Sequence, residues 1–217
     1  MEFVYVADLR CEQRVCPLGL ECLSPRLSWR MLDSRRGARQ TAYHVQAASS
    51  LEGLAADQPD FWDSGIVTSS QSPFVAYGDP SLTSRQRVYW RVRVADALGE
   101  LSPWSDTSWW EMGLLHAGDW SANWIGREDV FQGNWEAPVL PAPLFRRTIH
   151  LSSAPVRARA YFCGLGYSEL IINGRKVGDS VLDPIVTHYD QHAGYRTLDI
   201  TDYLVAGENV IGALLGN

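Results

Sequence analysis

The dipeptide Asn173-Gly174 constrains this chain more than any other feature. It stands between the apolar run Glu169-Leu170-Ile171-Ile172 and the return Arg175-Lys176-Val177-Gly178. A two-residue loop of this composition supplies positive φ at both central positions, which a tight antiparallel hairpin requires. The segment commits its neighbours to antiparallel sheet, and the rest of the chain has to offer strands that can join it.

It does so along most of its length. No helical period of useful extent is present, and apolar residues recur in short alternating runs between clusters of Gly, Pro, Asp and Ser. Leu27-Ser28-Trp29-Arg30-Met31, Ala42 to Ala47, Tyr89 to Val94 and Ser108 to Met112 read as core strands. In Tyr89 to Val94 a period of two sends Trp90, Val92 and Val94 to one face and Arg91 and Arg93 to the other, the mark of a half-buried strand. Asp96-Ala97-Leu98-Gly99-Glu100 supplies a turn, and Ser102-Pro103-Trp104-Ser105 is expected to open a last strand. Most of Trp29, Trp62, Trp90, Trp104, Trp109 and Trp110 are expected in the core, because a small sandwich needs large inward side chains on both sheets. The adjacent pair Trp109-Trp110 must point to opposite faces, and the outward one is a candidate for an interdomain contact.

The second half repeats the pattern after a break. Pro138, Pro141 and Pro143 remove ladder donors around short apolar pieces, so residues 115–142 read as a connector. Within it Trp120 to Gly126 is expected to form a strand that docks on the following domain, and Glu128 to Glu136 a surface loop. Strands resume at Leu144 to Leu151, Val156 to Phe162, Glu169 to Ile172, Arg175 to Gly178, Tyr195 to Ile200 and Val210 to Leu215, with a turn at Thr201-Asp202-Tyr203-Leu204. The chain is therefore all-β: a sandwich over 1–114, the connector, and the first part of another sandwich over 143–217. With so few strands the second sandwich cannot pair every edge, and it is expected to be incomplete and to self-associate through open edges or remain partly disordered.

Charge and cysteines narrow the partners. A formal net charge of −6 with no run of like charge offers no basic face to neutralise phosphates, which argues against nucleic acid and anionic membranes. The amino terminus carries acids where a secretory leader needs bases, and no stretch reaches the ~20 apolar residues of a membrane span, so a cytoplasmic protein with reduced thiols is expected. No metal or cofactor is expected either. Cys11, Cys16 and Cys22 lack the paired spacing of a zinc site, and His188 and His192 lack the glutamate of a zinc-hydrolase pair. Gly164-Leu165-Gly166 lacks the Lys-Ser/Thr ending of a phosphate loop.

Pro25-Arg26-Leu27-Ser28-Trp29, Trp90 to Val94 and Trp104-Ser105 resemble the core strands of a fibronectin type III or immunoglobulin-like domain. One departure is that the tyrosine usual in the corner of that fold falls at Val88 in this register. From Leu144 onward the order of strand, Asn-Gly hairpin, Thr-Asp corner and Gly-Glu-Asn turn resembles the jelly-roll, galactose-binding-like modules of glycoside hydrolases. Taken together with Arg39-Gln40-Thr41-Ala42-Tyr43, Trp62-Asp63-Ser64-Gly65, Ser84 to Val92, Trp120 to Gly126, Gly164-Leu165-Gly166-Tyr167 and Leu182-Asp183-Pro184, the chain resembles bacterial α-L-rhamnosidases of glycoside hydrolase family 78. That resemblance implies a parent enzyme releasing terminal L-rhamnose with inversion, by acids in an (α/α)6 barrel downstream of this region. It assigns no catalytic residue to the present chain, whose expected role is a non-catalytic accessory region partnered by that downstream domain and by rhamnosides. A stand-alone carbohydrate-binding module and a structural spacer or protein-docking unit are the alternatives. Tyr167, Asn173, Tyr189 and Asp190 are the candidate sugar-binding residues, since hydroxyl recognition needs an aromatic platform with amide and carboxylate acceptors. The competing reading makes Asn173 a turn residue and Tyr189 core. Val186 and His188 stand where the family tends to have tryptophan and aspartate.

Overall fold

The computed structural model describes residues 4–126 and 142–216. The chain divides into two compact units, Met1–Ser121 and Ala122–Asn217.

The first unit is a sandwich of two antiparallel sheets. One holds β1 (Tyr5–Cys11), β2 (Arg26–Leu32) and β6 (Val75–Ala76), in the order β1-β2-β6. The other runs β4 (Trp62–Asp63), β3 (Ala42–Ala48), β7 (Arg87–Ala95), β8 (Ser108–Glu111), with β5 (Val67–Thr68) also pairing to β3. A short α-helix, α1 (Leu51–Ala55), is capped by Ser50, whose hydroxyl accepts the Gly53 N–H. Alternation along β7 is as expected: Val88, Trp90, Val92 and Val94 are fully buried while Arg87, Tyr89, Arg91 and Arg93 are half-buried. Their inward side meets Leu27, Trp29, Val45, Tyr77, Trp110 and Met112 in one core cluster. Edge-to-face ring pairs tie the two sheets, Trp29 to Tyr43 at 5.3 Å and Tyr77 to Trp110 at 5.1 Å.

Two strand expectations are corrected in and around this unit, and one strand was not expected. Ser102 to Ser105 is not a regular strand: Ser102 N–H and Ser105 N–H reach the Val94 and Val92 carbonyls, but Pro103 has no donor to extend the ladder and pairing restarts at Ser108. Trp120 to Gly126 forms no strand; after a 3₁₀ turn at Ala117–Asp119 the segment runs irregularly, and Trp124 and Ile125 are exposed. β1 has no counterpart in the periodicity, because a bulge between Ala7 and Arg10, with Asp8 at φ +54°, breaks its alternation. The expected surface loop Glu128 to Glu136 lies outside the described residues, but for the residues on either side the connector is irregular.

The second unit is smaller in core. β9 (Leu144–Leu151), β11 (Ser168–Ile172), β12 (Arg175–Lys176) and β14 (Gly207–Leu215) form a sheet in the order β12-β11-β14-β9, and β10 (Arg159–Phe162) pairs with β13 (Arg196–Asp199). The expected strand from Val156 begins only at Arg159, with Val156 wholly exposed. Asn173 and Gly174 take φ +51° and +78°, the two positive values the hairpin demands. Leu170, Ile172, Val177 and Ile200 are the buried centre, with Phe162, Leu198 and Ile211 partly covered around it. An all-β chain of a fibronectin/immunoglobulin-like sandwich followed by a jelly-roll type sandwich is what the residues form.

Candidate functional site

The site residues read from sequence fall at two ends of one strand. Tyr167 precedes β11 and Asn173 follows it, so an extended strand of this length sets them about 20 Å apart. At the Asn173 end every polar atom of the side chain is used. Its Nδ2 donates to the Tyr203 carbonyl at 2.8 Å and to Asn209 Oδ1 at 2.9 Å, and its Oδ1 accepts the Val210 N–H at 2.8 Å. Asn209 is fully buried and also clasps the turn before β14, accepting from Val205 N–H and donating to the Val205 and Gly207 carbonyls. This end of the strand is a turn lock.

At the other end Tyr167 and Tyr189 are brought close through Gly166, whose N–H donates to the Tyr189 hydroxyl at 3.0 Å. Asp190 faces solvent, with His188 3.8 Å away. A cleft of about 320 Å³ opens here, lined by Tyr167, Glu169, Ser180, Leu182, Asp183 and Leu215 among others. Its volume sits at the lower edge of small-molecule sites, roughly 300–1,000 Å³. The two acids in the lining are ion-paired, Glu169 with Lys176 at 2.5 Å and Asp183 with Arg196. Carboxylates held in this way keep free lone pairs for accepting hydroxyl donors, beside an exposed aromatic ring and aliphatic side chains. Glu169 and Asp183 were missed by sequence reasoning, since only the fold places them beside Tyr167.

A second polar cluster lies on the outer face of the first unit's larger sheet. His44, 8% exposed, bonds Asp63 Oδ1 through Nε2 at 2.6 Å, and its Nδ1 accepts from Arg93 Nη2 at 3.0 Å. An arginine can only donate, so Nδ1 is the acceptor and Nε2 carries the hydrogen toward Asp63. Burial works to raise the Asp63 pKa, but hydrogen bonds from Gly65 N–H, Gln46 and His44 outweigh it and hold the carboxyl below its usual range. Arg91 bonds Gln46 Oε1 and Asp57 Oδ1, and both Arg91 and Arg93 lie over the Trp104 ring at 4.2 and 4.4 Å. Trp109, the outward member of its pair, carries Arg87 at 4.0 Å, while Trp110 is fully buried. With both imidazole nitrogens committed, His44 has no lone pair to offer a substrate, and the cluster is a side-chain ladder that stiffens the face.

Among the described residues, no group of three or more His, Cys, Asp or Glu side chains converges to hold a metal ion. The four cysteines are free thiols, with Cys11 buried and Cys22 exposed. Burial raises the Cys163 pKa above its ordinary value. Fold and cleft together define a tandem of β-sandwich modules.

Comparison with known proteins gives the family. Residues 6–116 match the Rha78A-like, N-terminal immunoglobulin domain, and residues 153–217 match the α-L-rhamnosidase N-terminal domain. An α-L-rhamnosidase of Formosa agariphila is 40% identical over 217 residues, covering 93% of this chain and 23% of that protein. One from Streptomyces avermitilis is 36% identical, covering 93% and 21%. The solved α-L-rhamnosidase of Dictyoglumus thermophilum superposes with a TM-score of 0.89 at 35% identity, over 98% of this chain and 25% of that one. That of Aspergillus terreus gives 0.75 at 28% identity, over 98% and 24%. The chain belongs to the α-L-rhamnosidase family, glycoside hydrolase family 78, and carries its N-terminal immunoglobulin-like and N-terminal domains. It spans about a quarter of the length of the relatives it matches.

Proposed function

We propose that this chain is the scaffolding front of a longer α-L-rhamnosidase that removes terminal α-L-rhamnosyl residues with inversion, in the cytoplasm, through a catalytic (α/α)6 domain following these modules. The observation that carries this reading is the pairing of near-complete coverage of this chain with only about a quarter of each relative. A chemical argument supports the division of labour. Inversion needs an acid and a base about 6.5–9.5 Å apart across the sugar. Among the described residues, Glu169, Asp183, Asp63 and Glu111 are instead engaged in local pairs, with Lys176, Arg196, His44 and Arg87. The test is to read the coding frame past Asn217 and assay the longer product on an aryl α-L-rhamnoside. Activity with inversion supports the reading, and a frame that stops at Asn217 or a product that leaves rhamnosides intact overturns it.

The cleft beside Tyr167 favours a second, compatible reading, a weak subsite for a neutral deoxyhexose. Tyr167 and Leu182 would take the apolar face of the sugar, and Glu169 and Asp183 would accept from its hydroxyls. Calorimetry of this chain with L-rhamnose at millimolar concentration tests it; heat lost in Tyr167→Ala supports the subsite, and no heat in the parent chain removes it.

A further inference from the structure

The last residues of the first unit are held on it by a device that its core does not need. Gly113 and Leu114 are buried and Leu115 is half-buried, but His116, Ala117 and Gly118 are exposed. Between Leu115 and the half-buried Asp119 and Trp120, then, no buried side chain holds the chain down. Hydrogen bonds from the turn before β7 do so instead. Ser84 Oγ accepts the Leu115 N–H at 2.8 Å and donates to Asp119 Oδ2. The same carboxylate oxygen accepts the His116 N–H at 2.9 Å. Arg85 supplies a second grip, its N–H donating to the Gly113 carbonyl at 3.0 Å and its Nη2 to the Asp119 carbonyl at 2.6 Å. To present both groups Arg85 takes φ +65°, a left-handed conformation that a non-glycine residue keeps only where its surroundings hold it.

We propose that Ser84, Arg85 and Asp119 form a latch that holds residues 115–120 on the first sandwich and opens without unfolding it. Closed, the chain leaves the sandwich at Trp120; open, it leaves at Leu114. The latch thus decides whether residues 115–120 stay on the first sandwich. It is made of a few hydrogen bonds centred on Ser84, Arg85 and Asp119, and such elements open at far lower cost than the ladder between core strands. Loss of either Ser84 Oγ or the carboxylate leaves the other without its partner, so the two act as a unit. Hydrogen bonds from the Ser84 hydroxyl and the His116 N–H hold the Asp119 carboxyl below its usual range, and the charged and titratable groups facing it among the described residues, His116 and Arg85, act in the same direction. Acid should therefore open the latch by protonating Asp119.

Amide hydrogen exchange read residue by residue in this chain is the test, comparing the parent with Ser84→Ala and Asp119→Ala. Leu115, His116, Asp119 and Trp120 amides should exchange at least about tenfold faster in both variants, as expected for loss of a charge-assisted hydrogen bond. The amides of the β3–β7 ladder should keep their parent rates. Unchanged exchange at the four amides overturns the latch. So does equal acceleration in the ladder, which would make these residues part of the global fold.

Discussion

The indole Nε1 of Trp29 donates to Oε1 of Gln40 at 3.0 Å, and both side chains are buried. Gln40 in turn donates through Nε2 to the Ser69 and Gln71 carbonyls at 3.1 and 2.8 Å. One glutamine thereby satisfies a core tryptophan on β2 and pins the loop after β5. Gln40→Leu leaves the buried indole N–H without its acceptor and the Ser69 and Gln71 carbonyls without this donor, at a cost of about 1–3 kcal/mol. Urea unfolding followed by tryptophan fluorescence should show that loss; an unchanged midpoint would mean the indole finds another acceptor.

Asn173 tests whether the far end of β11 is a lock or a ligand site. Its three hydrogen bonds and its φ of +51° make it a turn residue first. Asn173→Gly keeps the backbone conformation and loses the bonds, whereas Asn173→Ala loses both. The alanine variant should be less stable by about 1–3 kcal/mol, with the glycine variant between it and the parent. Thermal unfolding of the three proteins should rank them so, and any rhamnose binding at the Tyr167 cleft should persist in the glycine variant.

Acid should weaken the first sandwich through Arg35. Hydrogen bonds from its guanidinium hold Asp33 and Asp96 below their ordinary value of 3.8, with the Leu98 and Glu100 amides adding to the effect at Asp96. A carboxyl whose pKa is depressed on folding stabilises at pH values above its unfolded pKa, and that contribution fades as pH falls through the folded one. The urea midpoint should thus be flat between neutral pH and about pH 5 and drop below about pH 4. Asp96→Asn should lower the neutral-pH midpoint and flatten the acid slope; a slope identical to the parent's would assign the acid sensitivity elsewhere.

Thiol reactivity should report folding cleanly. Cys11 is 1% exposed, and burial, seconded by Glu12, pushes its pKa far up, so it stays a protonated thiol in the folded chain. Cys22 is exposed. With a water-soluble maleimide at pH 7.5, Cys22 should be modified first and Cys11 only after denaturant is added. Early labelling of Cys11, located by peptide mapping, would contradict the packing of β1.

Much of this was legible from the residues, and the remainder was not for definite reasons. Leu144 to Leu151 became β9 with the same bounds, and Trp90, Val92 and Val94 went inward, because both rest on a period set by the backbone alone. β1 was lost to a bulge, and Pro103 broke the strand expected over Ser102 to Ser105. The side-chain devices were harder still. Ser84 and Asp119 are 35 positions apart, and His44, Asp63 and Arg93 come from three strands, so nothing local announces either group. A faint signal existed in Tyr43-His44-Val45-Gln46 set against Arg91-Val92-Arg93, where polar residues share the outward phase of two strands that pair. At the candidate site the residue types were recognisable but their convergence was not: the Tyr189 hydroxyl reaches Gly166 next to Tyr167, Asn173 is spent on its turn, and the ion-paired acids beside Tyr167 needed the fold to bring them there.

The most direct measurement is turnover by this chain itself. Purified residues 1–217 incubated with p-nitrophenyl α-L-rhamnoside over hours should release no nitrophenol above the buffer rate. Release that scales with protein concentration and continues past one equivalent would contradict a pair of modules that carries no glycoside-cleaving apparatus.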